Sequence, residues 1–296
     1  MQIITDPSNK ELKKHGSDSF PFLVSYERLS HYEAGSFLWH WHPEIELTYL
    51  TKGEMLYQVN RFTYHLKQGD LLFGNSNVLH AGAMENLMDC EYVSITFDAK
   101  LIYGFSKSAI CTKYVETLTQ DFSLPAIHFD GTAKWHGEVI NLFLELLHTA
   151  QRKSPFYELD VVILLERLWK CILKNQVSGS VCSAHDKTEY DRIKAMVTFI
   201  EQNYERKIAL KDIAAHINLC ESECCRLFKR YMNLSLFSFL QEYRITRSLE
   251  YLLTPDSISS IAEKTGFSDS NYYSKVFTKI KGISPSQYRR EAGRLP

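Results

Sequence analysis

"ISSIAEKTGFSDSNYYSKVFTKIKG", residues 258–282, is typical of two short helices joined by a turn at Gly266. The earlier stretch "LKDIAAHINLCESECCRLFKRYMN", residues 210–233, has the same layout, since its Ile213-Ala214 pair recurs 48 residues later as Ile261-Ala262. The small alanine lets the second helix cross closely, and glycine can adopt the positive φ that the turn requires. The two stretches therefore predict an internally repeated helix-turn-helix.

The segment between the repeats, "LSLFSFLQEYRITRSLEYLLTPD", predicts one continuous helix from near Ser235 to Leu253. Its expected length of roughly 25–30 Å is comparable with one duplex turn of roughly 34 Å. Such a strut would hold two recognition helices in successive major grooves. Residues 186–296 carry 18 Lys and Arg against 14 Asp and Glu, an imbalance that weakly favours a polyanionic partner.

These C-terminal motifs resemble the AraC/XylS family of bacterial transcription regulators across residues 195–290. "IAEKTGFSDSNYYSKVFTKIKGISPSQYR" resembles the second helix-turn-helix signature of the family, and "CRLFKR" with "EYRITRSLEYLL" resembles its first unit and connecting helix. The resemblance implies sequence-specific binding to double-stranded promoter DNA, regulation by a small-molecule effector, a homodimer, and a surface compatible with RNA polymerase contact.

Matching positions place base-reading or phosphate-contacting side chains near the start and along the outer face of each recognition helix. We predict that Phe228, Tyr272, Tyr273 and Phe277 belong to the core beneath these helices. The first unit departs from the family at Cys220, where a capping Ser is usual, at Cys224, and at Asn233, where Gly is usual, and is predicted to be less rigid or less stringent. The predicted DNA-facing residues are Ser222, Cys225, Arg226, Lys229, Arg230, Ser270, Asn271, Ser274, Lys275 and Lys279.

The region from about 20 to 98 is rich in β-branched and aromatic residues interrupted by Gly, Asn and Asp, which predicts a β-sandwich or small barrel. Helical periodicity begins after residue 133. "AKWHGEVINLFLELLHTAQ" and "YELDVVILLERLWKCILKN" predict a hairpin that turns at Ser154 and Pro155, and the apolar face of its second helix includes Leu159. The hairpin either covers the barrel or meets its copy in a second subunit.

The predicted architecture is an α+β chain of two domains, with a cupin-like β-barrel and helical hairpin followed by an all-α double helix-turn-helix. The polar stretch "QVSGSVCSAHDK" is the predicted linker. The predicted boundaries are 1–130 for the effector-sensing barrel, 131–176 for the hairpin, with dimerisation as its expected role, 177–188 for the linker and 189–296 for the DNA-binding domain.

The stretch "WHWHPEIELTYL", residues 39–50, raises the question of a binding site in the barrel. His40, His42 and Glu46 precede Gly53 in an H-x-H-x3-E-x6-G pattern, and His80 follows in "GDLLFGNSNVLH"; together they resemble both motifs of the cupin barrel. Alternation along a strand would turn both histidines inward. Three imidazoles and a carboxylate are compatible with a divalent metal.

The second motif departs from metalloenzyme cupins, with Asn75 and Asn77 in place of Pro and Gly and Met84 in place of Asn. The arrangement also resembles the sensing domains of AraC-type regulators, which favours an effector pocket without a cofactor. Two alternatives stay open for these residues, namely metal-dependent sensing and structural hydrogen bonding. A third alternative is a cupin metalloenzyme fused to a DNA-binding domain, although we expect no enzymatic activity. Some of the nearby aromatics could line an apolar pocket wall suited to flat ligand faces, although we expect most of them to be ordinary barrel core. They are Trp39, Trp41, Tyr49, Tyr57, Phe62, Tyr64 and Phe73.

Seven scattered cysteines lack the spacing of a disulfide scaffold or a CxxC zinc site and fit reduced thiols. No apolar run approaches the roughly 18 residues of a membrane helix, and the N-terminus lacks the apolar stretch of a secretion signal. These features predict a cytoplasmic protein without a membrane partner.

Overall fold

A computed structural model describes residues 2–6, 9–85, 88–121, 123–176, 184–232 and 234–292. The chain divides into two units, one containing Lys10–Lys187 and the other containing Thr188–Pro296. None of the helices within these ranges is both long and apolar enough to cross a membrane.

The first unit is built from two antiparallel sheets, with strand orders β1-β8-β3-β6-β9 and β2-β7-β4-β5. The described strands are β1 Phe22–Arg28, β2 Ser36–His40, β3 Ile45–Lys52, β4 Glu54–Val59, β5 Phe62–Lys67, β6 Leu71–Gly74, β7 His80–Met84, β8 Glu91–Phe97 and β9 Ala126–Phe129. The predicted β-rich N-terminal domain is confirmed.

Alternation along the strands gives the five-stranded sheet two different faces. On β3, Ile45 and Leu47 belong to the hydrophobic core that the sheet shares with the helices, whereas Leu50 belongs to the core between the two sheets. Glu46 and Thr48 point to that same inner side, where the hydroxyl of Thr48 donates to Glu46 at 2.9 Å. Glu46 and Thr48 are therefore directed into the barrel.

Eleven α-helices lie in the described residues, and the first two are single turns. They are α1 Lys100–Tyr103, α2 Glu116–Thr119, α3 Lys134–Arg152, α4 Tyr157–Asn175, α5 Ala184–Asn203, α6 Leu210–His216, α7 Glu221–Met232, α8 Leu236–Leu252, α9 Ile258–Lys264, α10 Ser270–Lys281 and α11 Pro285–Ala292.

The α3–α4 hairpin covers the outer face of the five-stranded sheet. The ring of Phe143 lies 5.4 Å from that of Tyr49, and Trp169 lies 6.0 Å from Phe73. Leu159, however, is 59% exposed, so it does not belong to the part of the hairpin that covers the sheet. Apolar residues occupy more than one face of α4, and periodicity alone does not say which face the sheet will cover.

The second unit contains the predicted repeat, as α6–α7 and α9–α10 with α8 between them. Asn218 (φ 54°) and Gly266 (φ 79°) occupy equivalent turn positions, 48 residues apart. The following amides donate to equivalent carbonyls, Leu219 to Ala214 at 3.0 Å and Phe267 to Ala262 at 2.8 Å. Both turns thus close in the same way, because Asn tolerates the left-handed conformation that Gly adopts freely.

Phe228, Tyr273 and Phe277 are fully buried beneath the second helix of their units, as predicted. The Tyr273 hydroxyl lies 3.1 Å from the buried Ser248 hydroxyl, to which it donates. Tyr272 is instead 45% exposed, which contradicts its predicted place in the core. Neighbouring helical residues point about 100° apart, so only one of the two tyrosines faces inward.

Two of the sequence predictions concern residues that the structure does not describe. Asn233 lies outside them, as do positions 177–183 of the predicted linker. The remaining part of that linker is helical, because α5 already begins at Ala184.

Candidate functional site

The four residues of the predicted pocket come together between the sheets. His40 ends β2 and pairs with His80 of β7, while His42 lies in the connection before β3. The ring centroids of His40 and His80 are 4.1 Å apart, and those of His42 and His80 are 5.0 Å apart. The Glu46 carboxylate lies 3.1 Å from Nε2 of His42 and 3.6 Å from Nε2 of His80.

The imidazoles are oriented by backbone carbonyls two residues away along the chain. Nδ1 of His40 lies 2.9 Å from the Leu38 oxygen, and Nδ1 of His80 lies 3.0 Å from the Val78 oxygen. A carbonyl only accepts, so these nitrogens carry the hydrogens and donate. Each neutral ring consequently keeps its Nε2 lone pair available inside the barrel.

Burial and mutual proximity set the charges of the cluster. Burial lowers the pKa of His40 well below its usual range and lowers that of His80 to about 4, and the neighbouring imidazoles add to both effects. Burial also opposes ionisation of His42 and Glu46. Their mutual hydrogen bond and attraction outweigh it, raising the pKa of His42 and lowering that of Glu46. The contact between His42 and Glu46 therefore favours the charged forms of both, whereas His40 and His80 favour the neutral form.

A cavity of about 40 Å³ opens at this cluster. It has room for a few water molecules or a comparably small polar group. Its wall includes the rings of Tyr32, Phe37, Tyr57 and Tyr92 and the polar side chains of β8. Glu11 and His15, from the N-terminal segment, also line it.

Most of the seven aromatics that could line the pocket lie outside the cavity wall. Of the seven, Tyr57 alone belongs to the cavity wall among the described residues. Tyr49 and Phe73 face the hairpin, because they fall on the opposite phase of the strand alternation. The sequence does contain a signal for Tyr92, since Tyr92, Ser94 and Thr96 alternate on one face of a core strand. It contains none for Glu11 and His15, which belong to no recognised motif.

The two asparagines that depart from the metalloenzyme motif both have structural roles. Asn77 adopts φ 62°, as Gly would, and its amide donates to the His42 carbonyl at 2.9 Å. The buried Asn75 side chain donates to the carbonyls of Leu118 at 2.7 Å and Leu124 at 3.1 Å. These substitutions therefore preserve the loop that brings His80 close to His42.

The predicted DNA-facing residues lie on α7 and α10. The Arg226 side chain is 77% exposed, and Lys275 is also exposed. Arg226 lies 3.7 Å from the exposed Glu223 carboxylate on the same helix, whereas Arg230 forms an ion pair with the half-buried Glu189 and lies over the Tyr231 ring. The Ser274 hydroxyl donates to the Ser270 carbonyl at 2.9 Å, within the helix. Also exposed are Ser222, Cys225, Lys229, Asn271 and Lys279, while Ser270 is half-buried.

Each of the two units matches a known protein family. The AraC-like ligand binding domain matches residues 26–168, and a helix-turn-helix domain matches residues 213–291. The chain belongs to the AraC family. It is an AraC-type transcription regulator with a ligand-binding domain and a DNA-binding helix-turn-helix domain.

Relatives of this AraC-type chain include the HTH-type transcriptional regulator YdeC of Bacillus subtilis, 28% identical over 97% of this chain and 98% of YdeC. The transcriptional regulatory protein HptR of Staphylococcus aureus is 32% identical over 47% of this chain and 59% of HptR. Among solved structures, ToxT from Vibrio cholerae is 11% identical over 93% of this chain and 99% of ToxT, with a TM-score of 0.40.

The two matched regions of this AraC-family protein contain the two candidate sites. The matched ligand-binding region includes His40, His42, Glu46 and His80, and the matched helix-turn-helix region includes α7 and α10. Glu11 and His15 lie before residue 26, outside the matched region, although they line the same cavity.

Proposed function

We propose that a small polar effector binds in the barrel cavity and changes the affinity or half-site choice of the helix-turn-helix domain. The observation that carries this proposal is the convergence of His40, His80 and Glu46 on one cavity inside the ligand-binding domain, with His42 hydrogen-bonded to Glu46 beside it. A ligand shifts such an equilibrium only by binding one conformation more tightly than the other. The pocket acts as a sensor, and no chemical turnover is expected there.

The chemistry of the cavity favours an effector that donates hydrogen bonds. His40 and His80 present acceptor lone pairs, and Glu46 is an ionised acceptor. Hydroxyl and ammonium groups satisfy these acceptors, whereas a carboxylate would meet the charge of Glu46. The volume of about 40 Å³ favours a ligand, or a ligand group, of only a few heavy atoms.

We also propose that the regulator acts as a cytoplasmic homodimer on double-stranded promoter DNA, with RNA polymerase as a further partner. Support for the dimer comes from exposed apolar side chains on the hairpin, a composition typical of an interface. These are Leu144, Phe156, Leu159 and Ile163.

The DNA contacts are proposed for the exposed faces of α7 and α10. Arg226 and Lys275 are best placed to reach base edges or phosphates, because both are exposed on the recognition helices. Arg230 would have to leave Glu189 to do so, and we assign it a positioning role.

The decisive experiment fills the cavity while leaving the DNA-binding domain intact. An operator is first selected from a random duplex library, and small hydroxylated compounds and amines are screened for thermal stabilisation of the protein. His80→Phe should abolish both the stabilisation and the ligand-dependent change in operator affinity. His65→Ala, at an exposed histidine of β5, is the matched control. If His80→Phe keeps the full ligand response, the effector binds elsewhere.

A second candidate function is sensing that depends on a divalent metal. Metal-ligating histidines usually donate their other ring nitrogen to a fixed acceptor, as His40 and His80 do here. His40, His42, His80 and Glu46 would hold the ion, whose role would be to polarise a bound ligand. A native mass spectrum of untagged protein tests this candidate, because a mass excess of one transition metal per chain would support it.

A further inference from the structure

A second group of metal-binding side chains lies beside the pocket and includes two residues of the N-terminal segment. We propose that Glu11 and His15, together with His42, form a binding site for a divalent transition-metal ion. One ligand atom from each residue lies within 4.8 Å of the others. His15 and His42 are buried, and their ring centroids are 4.8 Å apart.

The strongest observation is the environment of His15. Its Nδ1 atom is hydrogen-bonded to the Thr96 hydroxyl at 2.8 Å. Its Nε2 atom is buried and has no hydrogen-bond partner within the described part of the chain. Nε2 lies 3.1 Å from a Glu11 carboxylate oxygen, but this approach does not form a hydrogen bond. Burying an unsatisfied nitrogen is costly, and a metal ion would satisfy it.

The surroundings of His42 add negative charge to the site. The Glu44 carboxylate lies 3.6 Å from Nδ1 of His42, and its Oε2 atom also has no hydrogen-bond partner among the described residues. A cation is thus favoured over an anion. Two imidazoles and one carboxylate form a ligand set that suits zinc and similar transition metals and leaves a position for water.

The backbone already holds the N-terminal segment close to this position. The Glu11 amide donates to the Trp41 carbonyl at 2.9 Å, next to His42, and Lys10 forms a parallel bridge with Trp41. Metal bonds of about 2.0–2.2 Å place ligand atoms roughly 3–3.5 Å apart, so the three side chains would close in from their spacing of up to 4.8 Å. One His42 nitrogen would exchange its hydrogen bond with the Glu44 carbonyl or with Glu46 for the metal. Bound metal would fasten the segment across the cavity that it lines.

This site differs from the four-residue barrel set, although the two share His42. Glu11 and His15 belong to neither cupin-like motif, and His40 and His80 belong only to the barrel set. Single substitutions therefore tell the two sites apart. The inference also stands without the effector proposal, since it concerns direct binding of an ion.

The test is a titration of metal-free full-length protein with Co²⁺, followed by visible absorption and calorimetry. We expect saturable binding of Co²⁺, weakened at least about tenfold by Glu11→Gln and by His15→Gln separately. His128→Gln is the control, because this half-buried histidine pairs with Asp70 away from the cluster. Thermal unfolding without metal shows that each variant is folded.

His40→Ala then decides between the two sites. If Co²⁺ affinity falls in His40→Ala and is unchanged in His15→Gln, the ion occupies the barrel set and the proposal is wrong. Absence of saturable Co²⁺ binding to the wild-type chain would also overturn it. Retained binding in His40→Ala, together with loss in both N-terminal variants, would establish the site.

Discussion

Gly266 shows how much one residue contributes to the second helix-turn-helix. It has φ 79°, and a Cβ atom there would overlap the Tyr204 carbonyl oxygen and lie 2.7 Å from Nη2 of Arg244. That guanidinium cannot easily retreat, because it donates to the carbonyls of Tyr204 and Arg206 at 2.8 Å. The turn therefore requires glycine for space as well as for backbone conformation.

We expect Gly266→Ala to lower the free energy of unfolding by more than Gly282→Ala does. Gly282 has a similar φ of 76°, but no described atom lies within 4 Å of the position that an alanine methyl would take. Gly282→Ala should therefore lower the free energy of unfolding by only about 1–2 kcal/mol, the cost of the left-handed backbone conformation alone. Urea denaturation of the full chain measures both. Equal losses would show that the Tyr204 and Arg244 contacts are relieved without cost.

Arg226 and Lys275 test the DNA-reading assignment at the same scale. Alanine at either position should weaken operator binding by roughly 1–3 kcal/mol if the side chain reads a guanine, with relaxed preference at one base pair. A phosphate contact would instead weaken binding to all sequences and reduce the salt dependence. Binding titrations over a range of salt concentrations separate the two.

Lys113→Ala is the matched control for these variants, since it removes one exposed positive charge from the first unit. If Arg226→Ala and Lys275→Ala bind the operator as tightly as the control does, neither residue belongs to the proposed DNA interface.

At the scale of elements, the two recognition helices differ at their N-termini. The Asp269 carboxylate accepts a hydrogen bond from the Tyr272 amide at 2.8 Å and so caps α10. The equivalent residue before α7 is Cys220, whose sulfur instead lies 3.2 Å from the Ser222 hydroxyl. A thiol is a weak acceptor and a poor cap. We therefore expect a weaker N-terminal cap at α7 than at α10.

Cys220→Asp should stabilise the DNA-binding unit by about 1 kcal/mol, because a carboxylate accepts from the backbone amides of the first turn better than a thiol does and complements the helix dipole. Asp269→Ala should cost a similar amount at α10. Thermal unfolding of each full-length variant measures the change. A neutral or destabilising effect of Cys220→Asp would show that the cysteine already satisfies the end of α7.

At the scale of the whole molecule, the sequence left open whether the hairpin covers the barrel or forms a dimer interface. Its inner face covers the sheet, and its outer face carries exposed apolar residues that a partner would bury. Covering the barrel and forming a dimer are therefore compatible roles for different faces of α3 and α4.

Ile163→Glu should convert a dimer to a monomer, because a buried unpaired carboxylate at the interface is costly. Ile110→Glu is the matched control, since the side chains of Ile163 and Ile110 are 46% and 45% exposed in the same unit. Sedimentation measures the mass in solution. A dimer that survives Ile163→Glu would place the interface on another surface.

Local signals in the chain were enough to establish the elements and the family. The repeated Ile-Ala pairs, the turn residues Asn218 and Gly266 and the helical periodicity of the hairpin each depend on residues close together in sequence. The histidines and the glutamate of the pocket were equally recognisable, since their spacing lies within two short motifs.

Which residues share a site depended instead on the tertiary structure. It placed Tyr49 and Phe73 against the hairpin, exposed Leu159 and Tyr272, and brought Glu11 and His15 to the barrel cluster. Alternation and helical periodicity define the faces of an element, but not the neighbour that each face meets. That choice depends on long-range packing, in which residues far apart in sequence exclude water from the same surface.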